Sequence, residues 1–69
     1  KMRLSARNVI AGTVVEIVTG TVTSHVRLDI GGAVITSSIT NEAVAELGLK
    51  VGEKAYAVVK ASDVMIGKD

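Results

Sequence analysis

The sequence predicts an all-β fold with one short helix, and three observations carry that expectation. The apolar residues are almost all Val, Ile, Ala and Leu, and β-branched side chains suit a pleated, half-buried surface. They alternate with polar residues over several stretches, which is the period of a strand with one face inward. Glycines punctuate those stretches where a strand has to turn.

The elements follow in order. Asn8 to Val18 carries Val9, Ile10, Val14, Val15, Ile17 and Val18 around Gly12, and reads as a long strand bent or bulged near that glycine. Thr19 and Gly20 make a tight turn. From Thr21 to Ile30, Val22, Val26, Leu28 and Ile30 share one face, while Thr21, Thr23, His25, Arg27 and Asp29 share the other. Gly31 and Gly32 supply the positive φ angles of a two-residue hairpin, and a third strand runs from Ala33 to about Ile39.

Thr40 suits a helix N-cap, and Glu42 stands in the first turn, where the helix dipole favours an anion. Val44 and Leu47 face one way. Gly48 in a left-handed conformation closes the segment and lets Leu49 fold back on Val44. A helix of about two turns is too short to stand alone, so it is expected to dock on the sheet. After the turn at Val51, Gly52 and Glu53, a fourth strand covers Lys54 to Val59 and a short fifth covers Val64 to Ile66. The order β-β-β-α-β-β, in a single domain spanning residues 1–69, is that of the five-stranded, partly open OB-fold barrel.

Size and composition bound what such a barrel can do. A chain of 69 residues has little interior. Domains of about 60 residues bury only roughly 60% of the surface their unfolded chains expose, and disulfides, metals or association make up the difference. Cysteine is absent and His25 is the one histidine, so neither a disulfide nor a zinc cluster is available and self-association is expected. A hydrophobic content of 48% leaves apolar surface for a partner copy. The net charge of +1 gives no field to draw the chain to nucleic acid or an anionic membrane. No apolar run approaches the roughly 20 residues that span a bilayer, and no signal-peptide pattern opens the chain, so a cytoplasmic protein is expected. An enzyme is not expected: no serine, threonine or carboxylate has a histidine spaced as its base, and one small domain cannot enclose a substrate.

Three polar clusters interrupt the apolar pattern at element ends: Ser5-Ala6-Arg7-Asn8, Thr36-Ser37-Ser38-Ile39-Thr40 and Lys60-Ala61-Ser62-Asp63. Hydroxyls, a cation and free backbone N–H groups are the donors a tetrahedral oxyanion needs for its four acceptor oxygens. Thr40 adds the first N–H groups of the helix. Taken alone, such clusters more often serve as turns and caps than as an anion site.

Taken together, Ser5-Ala6-Arg7-Asn8, Gly12-Thr13-Val14, Ser38-Ile39-Thr40, Leu47-Gly48-Leu49-Lys50-Val51-Gly52, the run from Ala55 to Ser62 and Val64-Met65-Ile66 resemble the molbindin (Mop) domain over nearly the whole chain. The resemblance implies a domain that binds molybdate, and often tungstate, between subunits, with no organic cofactor. Stand-alone members of that family form hexamers built as trimers of dimers. Related copies lie on molybdate-responsive transcription regulators and on the ATPase subunit of molybdate importers. By matching motif, Ser5 and Arg7, with the Ala6 backbone, would reach the anion from one subunit, while Thr40, Lys60 and Ser62, with the Ala61 backbone, would hold it from the neighbour. Asn8 completes the first motif without an assigned ligand role. One departure concerns Ala43, where many members carry a serine hydroxyl. The family can also have a second class of site near a three-fold axis, which the sequence does not locate.

Other residues have plainer expected roles. His25 reads as a solvated strand residue, Tyr56 as a packed or interface residue, and Arg27 with Asp29 as a weak surface pair. Met2 and Met65 read as gap-fillers or interface residues. Two alternatives to an oxyanion binder stand beside it. A nucleic-acid-binding OB-fold would want several aromatic stacking residues, of which Tyr56 is the single candidate. A purely structural oligomerisation module would have lost its ligand, as Ala43 suggests, although Arg7 and Lys60 speak against it.

Overall fold

A computed structural model describes residues 5–69. Met2, given a packing role above, lies outside the described residues. The elements are β1 (Asn8–Thr19), β2 (Thr23–Asp29), β3 (Val34–Thr40), α1 (Asn41–Leu47), β4 (Lys54–Val59) and a 3₁₀ turn at Ala61–Asp63. The β-β-β-α-β order predicted through the fourth strand is therefore observed. All pairings are antiparallel in one sheet of spatial order β3-β2-β1-β4.

β1 changes partner along its length. Asn8–Thr13 pairs with β4, and Thr13–Thr19 pairs with β2. The sheet curls into a half-barrel whose edge strands β3 and β4 both line an apolar groove of about 570 Å³, together with Leu47 and Leu49. The bulge expected near Gly12 falls at Val15, between Val14 and Glu16. Its cause is the core. Without the extra residue, Val14 and Glu16 would share the inner face; with it, Val14 (1% exposed) and Ile17 both turn inward and Glu16 turns out towards Arg27. Gly12 answers a different need, because a Cβ there would stand 2.6 Å from the Asp29 carbonyl oxygen and 2.9 Å from Leu28 Cγ.

β2 starts later than expected. Gly20–Val22 forms the connection, closed by Gly20 N–H donating to Thr23 O at 2.8 Å, and Val22 is exposed rather than inward. Ser24 takes the inward slot instead, in file with Val26 and Leu28. The Gly31-Gly32 hairpin is as expected, with both residues at positive φ and Ile30 N–H donating to Ala33 O at 2.9 Å.

α1 carries both of its predicted caps. Thr40 Oγ1 accepts from Ala43 N–H at 3.0 Å, Gly48 is left-handed, and Leu49 N–H returns to Val44 O at 3.1 Å. Val44 and Leu49 pack on the core, whereas Leu47, expected beside Val44, is exposed at the groove. Leu49, folded back by the Gly48 cap, takes the place beside Val44 that Leu47 was expected to fill. The 51–53 turn is pinned to β1 by Val14 N–H to Glu53 O (2.9 Å) and Gly52 N–H to Val14 O (2.7 Å).

The fifth strand is not formed. The 3₁₀ turn diverts the chain at the end of β4, and Val64–Ile66 joins no ladder, with Met65 and Ile66 about as exposed as in an unfolded chain. A strand needs a neighbour with free N–H and C=O groups, and β4 has turned away before Val64 begins. Buried apolar side chains among the described residues are Val14, Val26 and Leu28, with Ile17, Ile30, Ile39, Val44, Leu49, Ala55 and Ala57 packed around them.

Candidate oxyanion site

Antiparallel pairing of β1 with β4 brings two of the polar clusters together. Asn8 is the ladder partner of Val59, and its Nδ2 donates to Val59 O at 3.1 Å. Ser5-Ala6-Arg7 therefore enters the sheet, and Lys60-Ala61-Ser62 leaves it, at one shared end. Asn8, which had no assigned role, clamps that end. Arg7 and Lys60 are exposed, and among the described residues neither is held by a carboxylate. The 3₁₀ turn uses the N–H groups of Asp63 and Val64, and among the described residues those of Ala61 and Ser62 at its open start have no backbone acceptor. Two cations that no described carboxylate pairs with, two hydroxyls and the N–H groups that start the 3₁₀ turn give this end the donor chemistry that suits a dianion.

Thr40 stands apart from this end. Its ladder partner Thr23 lies beside the Thr19–Ser24 pair at the far end of β1, whereas Lys60 follows Val59, the partner of Asn8 at the start of β1, on the other edge of the sheet. The division expected from the sequence put Thr40 with Lys60, Ala61 and Ser62, and Ser5 with Arg7 on another copy. Within one chain it is Ser5-Ala6-Arg7 and Lys60-Ala61-Ser62 that adjoin, because the Asn8–Val59 pair sits between them.

The start of α1 also differs from expectation. Its first N–H groups are not all open: Asn41 N–H donates to Val22 O at 2.8 Å and Ala43 N–H to Thr40 Oγ1. Thr40 Oγ1 thus acts as a cap acceptor and keeps its O–H proton for a second partner. Ala43 has no hydroxyl, and its N–H, being engaged, does not stand in for one.

Sequence reasoning passed over Ser24 and Asn41. Ser24 Oγ donates to Asn41 Oδ1 at 2.6 Å, and Asn41 Nδ2 donates to Gly20 O at 2.9 Å. The available signal was a serine in an inward file of Val and Leu. Arg27 pairs with Glu16, its cross-strand partner, at 3.4 Å with both side chains half exposed, and not with Asp29. Asp29 Oδ1 instead accepts from Gly31 N–H at 2.9 Å and steadies the hairpin. His25 is exposed between Val18 and Ser38, as expected. Tyr56 is half exposed, with Lys54 Nζ 5.7 Å from its ring centre. Among the described residues no group of three His, Cys, Asp or Glu could hold a metal ion, and no helix is long and apolar enough to cross a membrane.

With that geometry in hand, comparison with known proteins is specific. The TOBE domain profile matches residues 4–66. A probable molybdenum-pterin-binding protein of Haemophilus influenzae is 49% identical over 67 residues, covering 96% of this chain and 97% of the relative. The solved structure of a molybdate binding protein from Sporomusa ovata aligns with a TM-score of 0.92 at 40% identity, over 97% of this chain and 100% of that one. The cytoplasmic molybdate-binding protein ModG, solved with molybdate bound, aligns with a TM-score of 0.87 at 57% identity. That match covers 93% of this chain and 46% of ModG, so this chain spans about half of its length.

Proposed function

Since this chain belongs to the TOBE domain family, in its molbindin (Mop) branch, we propose that it is a non-catalytic, cytoplasmic binding protein. It assembles with copies of itself and holds molybdate, or tungstate, between them for storage or homeostasis. The whole chain acts as one domain. The observation that carries the reading is the Asn8–Val59 pairing, which brings the segments Ser5-Ala6-Arg7 and Lys60-Ala61-Ser62 to one end of β1 and β4, where among the described residues no carboxylate pairs with Arg7 or Lys60. Thr40 of a neighbouring copy completes the donor set, since its own chain holds it on the opposite edge. The solved structures described as molybdate-binding support molybdate as the ligand, while the name molybdenum-pterin-binding supports only a molybdenum-containing one.

Assembly has its own physical support. The exposed apolar residues Val64, Met65 and Ile66 and the open apolar groove between β3 and β4 are surfaces that contact between copies would cover. The expected form is a hexamer, a trimer of dimers.

Titration calorimetry and thermal melting of the assembled protein test the reading. Molybdate at about 100 times its dissociation constant stabilises a folded binder by about 2.7 kcal/mol, which raises the melting temperature of so small a domain by roughly 10 °C or more. Arg7→Ala and Lys60→Ala are each expected to weaken binding by at least about tenfold, the loss of one charge-assisted contact. Identical melts with and without saturating molybdate and tungstate would overturn the ligand. A monomer at working concentration would overturn the shared site.

A further inference from the structure

We propose that Ser24 and Asn41 form a positioning pair that holds the Thr40 hydroxyl in the orientation from which it meets the anion; the inference rests on the oxyanion role of Thr40. Ser24 is 1% exposed and stands on β2 in the inward file with Val26 and Leu28. A valine at that position would bury more apolar area and leave no polar group to satisfy. A hydroxyl kept there is compensated through Asn41.

Three bonds converge on Asn41. Ser24 Oγ donates to its Oδ1 at 2.6 Å, its Nδ2 donates to Gly20 O at 2.9 Å, and its N–H donates to Val22 O at 2.8 Å. The first residue of α1 is thereby tied to the floor of β2 and to the turn between β1 and β2. The Ser24 bond is partly buried, with Ser24 itself removed from water, which strengthens it and makes its geometry harder to relax.

Thr40 sits immediately before this anchor. It is paired with Thr23 in the β2–β3 ladder, while its Oγ1 accepts from Ala43 N–H inside α1. The direction of its remaining O–H is therefore set by how the start of α1 is seated, and Asn41 seats it. A loosened α1 start would swing that donor away from an anion held by the Arg7 and Lys60 end of a second copy. With alanine at position 43, Thr40 is the one hydroxyl in the first turn, so no neighbour substitutes for it.

A double-mutant cycle on the assembled protein tests the pair, with molybdate affinity read by calorimetry well below each variant's melting temperature. Thr40→Ala is expected to weaken binding. Ser24→Ala is expected to weaken it roughly five- to tenfold, the loss of one well-aimed donor, although Ser24 touches no ligand. If Ser24 acts through Thr40, the double variant binds no worse than Thr40→Ala alone. Ser24→Thr, which keeps the hydroxyl, restores wild-type affinity. Should Ser24→Ala fail to fold, Asn41→Ala enters the same cycle. Wild-type affinity in Ser24→Ala, or two losses that multiply in the double variant, overturns the positioning role while leaving the site intact. Wild-type affinity in Thr40→Ala instead overturns the oxyanion role of Thr40, and the pair's role with it.

Discussion

Replacing Gly12 by alanine is expected to destabilise the fold by about 1–3 kcal/mol, the usual cost of forcing an extra methyl into a filled space. Gly12 has no positive φ, so alanine can adopt its backbone conformation without strain. Taken alone, that change would stabilise by about 0.4–1 kcal/mol through the unfolded chain. Contact reverses the sign. The new Cβ would lie 2.6 Å from the Asp29 carbonyl oxygen, 2.9 Å from Leu28 Cγ and 3.1 Å from Ile30 Cγ2, well short of the 3.4 Å at which ordinary contact begins. Leu28 could turn aside, but the carbonyl is backbone and belongs to the residue paired with Thr13. Relief therefore requires the β1–β2 ladder to move where β1 exchanges β4 for β2. At about 4–8 °C per kcal/mol for a domain of this size, the melting temperature is expected to fall by roughly 4–24 °C. The measurement is a thermal melt at one fixed protein concentration, because the proposed assembly would make the midpoint concentration-dependent. Gly12→Val is expected to fall further. A melting temperature equal to or above wild type in Gly12→Ala would mean that β1 and β2 do not approach at Gly12 as described.

Two further outcomes separate the roles of single elements. Thr40→Asp keeps an N-cap acceptor of equal quality, so the melting temperature without anion is expected to stay within a few degrees of wild type. Its charge would face the dianion, however, and molybdate affinity is expected to fall by roughly tenfold or more; undiminished affinity would make Thr40 a cap and nothing else. Deleting residues 64–69 removes an apolar segment that joins no ladder, so the circular dichroism of the sheet is expected to persist while sedimentation velocity shows smaller assemblies. Each of Val64, Met65 and Ile66 is worth about 1.5–3 kcal/mol if fully covered by a partner. An unchanged assembly would mean that this tail stays in water.

The candidate site was legible as motifs but not as geometry. Ser5-Ala6-Arg7 and Lys60-Ala61-Ser62 stand out as polar breaks at strand ends; their donors suit an anion but more often make turns and caps, and it is the resemblance to the molbindin domain that points to an oxyanion. Which cluster adjoins which depends on the Asn8–Val59 pairing, between residues at nearly opposite ends of the chain. Ser24 and Asn41 were missed because each looks ordinary in its own neighbourhood, and their bond exists only once β2 and α1 are packed together.

The same line divides the fold. Within the sequence itself lay the features that neighbouring residues dictate: the bounds of β4 at Lys54 and Val59, the paired-glycine hairpin, the Thr40 cap and the left-handed Gly48 with Leu49 returning to Val44. Turn chemistry, capping and alternation act over a few residues, so a linear reading captures them. Tertiary structure alone decided the bulge at Val15, the inward turn of Ser24 in place of Val22, the exposure of Leu47, the choice of Glu16 over Asp29 by Arg27, and the failure of Val64–Ile66 to pair. Each of these is a contest between positions far apart in the chain for one inner face or one ladder partner, and register and space settle it where local preference is silent.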